Sequence, residues 1–117
     1  MRIHALRTGS VRLKIPDANT DPDGNVLTLR GSLTAGSRRA YAEALAGSPL
    51  SREDAWQQAV ELLFERLAVR WTIAGAPIAG QRELLARYRA ASPDERAWIR
   101  EALREHCAEH FPDVRAP

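Results

Sequence analysis

The chain has 117 residues, 44% hydrophobic and 27% charged, proportions that suit one globular domain and exclude collagen-like or wholly disordered chains. Seventeen basic residues face fifteen acidic ones, a surplus too mild to indicate nucleic-acid binding, which concentrates cations on one face. No apolar run approaches the ~20 residues that span a bilayer, the start MRIHALRTGS lacks the apolar stretch of a signal peptide, and the single cysteine, Cys107, has no partner for an internal disulfide.

Residues 1–31 read as β. Residues 2–6 alternate around Ile3 and Ala5, Arg7-Thr8-Gly9-Ser10 supplies turn residues, and Val11, Leu13 and Ile15 follow at period two. Pro16 stops that run. PDANTDPDGN (16–25) reads as a loop with its turn at Asp23-Gly24-Asn25, and Val26, Leu27 and Leu29 form a third short strand closed by Gly31. Three short strands with one apolar face need a helical layer above them.

Residues 32–111 read as helical, with 112–117 as a short tail. A short amphipathic helix runs over 36–45, with Leu33 before it and Gly47 after it. Ser51-Arg52-Glu53-Asp54 resembles a capping box, opening a helix to about residue 69 with Trp56, Ala59, Val60, Leu63 and Leu67 on one stripe. In WTIAGAPIAG (71–80), two glycines and a proline predict an apolar connector, extended or turning, that lies on the core or meets a partner. A third helix spans 82–90. Ser92-Pro93-Asp94-Glu95 combines an N-cap serine, a proline in the first turn and a glutamate at the third position, so the last helix starts there and ends at Phe111-Pro112. The expectation is therefore a single α+β domain, a small N-terminal antiparallel β-hairpin or three-strand sheet followed by four helices.

His106-Cys107-Ala108-Glu109-His110 has the form H-x-x-E-H, which on a helix brings two imidazoles one turn apart beside a carboxylate. A zinc site needs a third protein ligand, usually well downstream, and only seven residues follow. The pair is therefore read as histidines at a helix C-terminus, where the dipole favours a cation, and no metal or cofactor is expected. Cys107 reads as a small apolar residue, because His106 points about 100° away around the helix. Asp17, Asn19, Asp21, Asp23 and Asn25 lack the glycine and closing glutamate of a calcium loop and read as solvated. Arg96, Arg100 and Arg104 form a ladder at helical spacing beside Glu101 and Glu105, a solvated face with Glu101 pairing to Arg104. Trp56 and Trp98 sit at core spacing and are expected to be buried. For Trp71, at the junction of helix and broken segment, core and interface roles compete.

Leu33-Thr34-Ala35-Gly36-Ser37-Arg38 after a strand, and Leu67, Val69, Trp71, Gly75 and Pro77 closing a later helix, resemble the small tail assembly chaperones of long-tailed bacteriophages, over about residues 25–105. The chain departs from that family in its tryptophan turn, where Thr-Ile-Ala-Gly-Ala stands for acidic and asparagine residues. The resemblance implies a non-enzymatic protein of the infected bacterium's cytoplasm that keeps the long helices of the tape measure protein soluble and helps recruit tail tube protein, with self-association open. Trp71, Ile73, Pro77 and Ile78 are the partner-binding residues on this reading. Two other classes stay open: a head–tail connector or tail-completion protein, and a small DNA-binding regulator.

Overall fold

The computed structural model describes residues 17–47, 52–114 and 116. The strands expected over 2–6 and 11–15, and the cap at Ser51, lie outside them. The elements run β1 (Asp17–Thr20), β2 (Val26–Leu29), α1 (Ala35–Ala46), α2 (Arg52–Leu67), β3 (Ala68–Ile73), β4 (Ala76–Ile78), α3 (Gln81–Arg89) and α4 (Pro93–His110). The α+β class is as expected, but the sheet is not purely N-terminal. Its four strands lie in the order β1-β2-β3-β4, all antiparallel, and its second half is inserted between α2 and α3.

Two segments read as loop or connector are strands. Asp17–Thr20 pairs with Val26–Leu29 despite its Asp and Asn, which are poor strand formers. The turn between them is set by local chemistry. Gly24 N–H donates to Asp21 O (3.0 Å), Asp21 Oδ1 accepts from the N–H groups of Asp23 and Asn25 (2.9 Å each), and Gly24 has φ +86°. The apolar segment after α2 is a hairpin. Its two-residue turn, Ala74-Gly75, has φ +51° and +80°, the positive pair that matches the twist of the flanking strands. In such a hairpin the Ile73–Ala76 pair next to the turn exchanges hydrogen bonds, so Thr72–Pro77 is a non-hydrogen-bonded pair. Pro77 therefore removes no ladder bond to β3 and leaves the edge of β4 away from β3 without a donor at its centre.

α4 starts at its expected cap, and α1 starts at Ala35, one residue before the expected start, capped by Thr34. Thr34 Oγ1 accepts from Ser37 N–H (3.0 Å), and the Ser92–Glu95 box closes in both directions, Glu95 N–H to Ser92 Oγ (3.1 Å) and Ser92 N–H to Glu95 Oε1 (3.0 Å). Glu95 Oε2 also accepts from Arg87 Nη2 (2.8 Å), which ties α3 to α4. α2 ends at Leu67, two residues earlier than expected, and passes into β3 with no loop.

One face of the sheet meets the helices. Leu27 and Leu29 of β2 and Trp71 of β3 point into the core with Phe64, Leu63 and Leu67 of α2 and Ile99, Leu103 and Cys107 of α4, each almost fully buried. Phe64 stacks on Tyr88 (4.9 Å between centroids) and meets Trp71 edge-on (5.9 Å). An irregularity between Thr28 and Leu29 opposes Leu29 to Ala68 and Thr28 to Arg70, so Val69 is an extra residue in the ladder. The opposite face carries Thr28, Arg70, Thr72 and Pro77, by alternation and register.

Candidate functional site

The four residues expected to bind a partner all lie in the β3–β4 hairpin, but on two faces. Trp71 is opposite Ile78, and Ile73 is two residues along, so all three project toward the helices. Trp71 is 1% exposed, and Arg87 of α3 lies over its ring at 5.0 Å. That burial resolves the competition between core and interface: Trp71 is core and presents no surface to a partner. Ile73 and Ile78 pack on the edge of the core yet remain half-exposed, and Ala76 beside them is exposed. Pro77, exposed, faces the other way.

The tryptophans at core spacing on helices are less buried than Trp71. Trp56 is half-buried, with Arg100 5.0 Å over its ring, beside a shallow trough shared with Val60, Tyr88 and Arg96. Trp98 packs on the core from its margin. The arginine ladder is engaged throughout. Arg96 donates to the carbonyls of Ala91 and Arg89 (3.2 Å each) behind α3, Arg100 covers Trp56, and Arg104 bonds Glu101 Oε1 at 2.6 Å, the pair the spacing predicts.

A second cluster joins β1 to the end of α4. Asp17 lies opposite Leu29 and so points to the helical side of the sheet. There its Oδ2 stands 2.5 Å from His110 Nε2 and 3.6 Å from His106 Nδ1. The two imidazoles, one helical turn apart, have centroids 4.4 Å apart. His106 Nε2 lies 2.5 Å from the carbonyl oxygen of Arg30, and its side chain is 1% exposed. Burial pushes the His106 imidazole below the ordinary histidine range, so the neutral ring is favoured. Glu109 stays outside, its Oε1 3.9 Å from His110 Nε2 and its side chain largely in solvent. Donor atoms of Asp17, His106 and His110 all lie within 4.8 Å of one another.

The histidine pair is legible in the sequence as H-x-x-E-H, but its carboxylate neighbour is not the adjacent glutamate. Asp17 lies 93 residues upstream of His110, in a stretch whose composition reads as loop. Only the alternation of Asp17 and Asn19 with Ala18 and Thr20 hints at a strand face. Cys107 is fully buried on the core side of α4, and burial pushes its thiol up to about 11, which leaves it unreactive at neutral pH.

Among the described residues no helix is long and apolar enough to cross a membrane. No protein-family model, curated protein or solved structure matches the chain.

Proposed function

We propose that this chain is a non-enzymatic binding protein, a tail assembly chaperone that holds helices of the tape measure protein in the cytoplasm of an infected bacterium. The reading is supported by the resemblance of residues 33–38 and 67–77 to that family. The observation that carries it is the partly exposed pair Ile73 and Ile78, which pack on the margin of the core beside the exposed Ala76 and Pro77. An amphipathic helix laid there would extend the helical layer by one member and bury its apolar stripe on the sheet. A strand partner fits less well, because β4 has three residues and Pro77 at its centre.

The test is co-expression with the long helical protein encoded beside this chain, followed by size-exclusion chromatography. The native chain keeps the partner soluble and elutes with it. Ile73→Ser/Ile78→Ser retains the far-ultraviolet circular dichroism of the native chain and releases the partner to the pellet. A folded double variant that still solubilises the partner would overturn the assignment of this surface. Defined rings formed by the chain alone, with the partner insoluble, would replace the chaperone reading by a connector role.

A further inference from the structure

We propose that Asp17, His106 and His110 form a binding site for a divalent transition metal, with zinc the ion their donors suit best, and that the ion ties strand β1 to the end of helix α4. The inference is independent of the chaperone reading.

Three observations on these residues point to a cation. The first is the hydrogen bond of His106 to the chain. A carbonyl oxygen only accepts, so Nε2, the ring atom 2.5 Å from Arg30 O, is a donor and leaves Nδ1 as the atom on offer to a metal. The other ring nitrogen, Nδ1, is turned toward the Asp17 carboxylate at 3.6 Å. The backbone carbonyl on the far nitrogen is also the partner that orients a metal-bound imidazole and raises its basicity.

The second observation is spacing. Zinc bonds of about 2.0–2.1 Å in a tetrahedron place donor atoms about 3.3 Å apart. His106 Nδ1 and Asp17 Oδ2 are already 3.6 Å apart, and the 2.5 Å contact of His110 Nε2 with Asp17 Oδ2 needs to open by less than 1 Å. His110 then passes its proton to Nδ1 and offers Nε2 to the metal. The third is accessibility: the His110 side chain is 10% exposed and that of Asp17 is 23% exposed, so both keep some contact with solvent. Two imidazoles and one carboxylate favour zinc and its neighbours over calcium or magnesium, which take all-oxygen shells. Three protein ligands leave a fourth position for water, and the carbonyl end of α4 adds favourable potential for a cation.

The test uses the untagged 117-residue chain, stripped by a chelator and titrated with Zn²⁺ alone by calorimetry, with thermal melts in parallel. One ion binds per chain and the Tm rises with metal concentration. Asp17→Asn and His110→Gln each weaken binding by about tenfold or more, whereas Glu105→Gln, on an exposed part of α4, leaves it unchanged. His106 is buried, and its replacement risks the fold. The second measurement is therefore made on the native chain: Co²⁺ in place of Zn²⁺ gives the visible absorption of a four-coordinate centre. No saturable one-to-one binding, affinity unaltered in both Asp17→Asn and His110→Gln, or a Co²⁺ spectrum equal to that of the aqueous ion would each overturn the proposal.

Discussion

Trp71 fills the space between the sheet and α2, and its indole nitrogen is the buried side-chain polar atom without a hydrogen-bond partner among the described residues. Its contribution is therefore apolar packing, together with the guanidinium of Arg87 over the ring. Trp71→Ala is expected to cost about 3–5 kcal/mol. Trp71→Phe loses volume but also removes the unpaired N–H, so its cost should be less than about half of that. Denaturant melts of the two variants check the difference, and near-equal losses would show that the indole nitrogen does have a partner. Cys107 behaves likewise as packing. With a buried thiol pushed up to about 11, it should resist maleimide in the native state and react at once in denaturant. Rapid labelling of the folded protein would contradict its place in the core.

At the scale of elements, the β3–β4 hairpin carries a local conflict. Ala74 occupies a left-handed conformation, φ +51°, that costs a non-glycine residue of this shape about 1 kcal/mol. Asparagine tolerates it, so Ala74→Asn should stabilise the domain by about 0.5–1 kcal/mol, a Tm rise of about 2–4 °C. A lower Tm would mean that the turn has a different geometry. The start of α4 is the electrostatic counterpart. The Arg87 guanidinium, and next the Ser92 backbone N–H, hold the Glu95 carboxyl below the ordinary glutamate range. A depressed folded-state pKa contributes stability that is present above the unfolded-state value and is lost as pH falls through the folded-state value. Acidification through and below the ordinary glutamate range should thus loosen the first turn of α4. In Glu95→Gln that part of the pH dependence should vanish, as read from Tm against pH. An unchanged slope in the variant would place the acid sensitivity elsewhere.

For the whole molecule, the order of strands matters more than their number. β2 lies between β1, its neighbour in the chain, and β3, which returns only after both α1 and α2. Leu27 faces Trp71 across that junction, and Arg30 N–H donates to Leu67 O at 2.8 Å. A two-stranded hairpin is at best marginal in water. A fragment ending at residue 67 should therefore lose the β1–β2 pairing, visible as the absence of slowly exchanging amides over 17–29. Protected amides there in the fragment would mean that the hairpin stands without β3. The same return of the chain brings residues 17–29 under α4, and with them Asp17 under the two histidines.

What the sequence determined by itself is local. The cap at Ser92, the apolar stripe of α2, the Glu101–Arg104 pair and the strand Val26–Leu29 all follow from spacings of a few residues, where propensity and hydrogen-bonding geometry act directly. What only the tertiary structure decided is pairing across distance. Asp17–Thr20 is a strand because Val26–Leu29 offers it a ladder, not because Asp and Asn favour extended chain. Ala74-Gly75 and Pro77 form a hairpin because β3 has a place beside β2, with proline falling at a position that needs no donor to β3. Trp71 is core, rather than surface, because that place turns its side chain toward Phe64. The meeting of Asp17 with His106 and His110 has the same origin. A carboxylate and two imidazoles some ninety residues apart become neighbours through the register of a sheet, and a local pattern carries no record of that register.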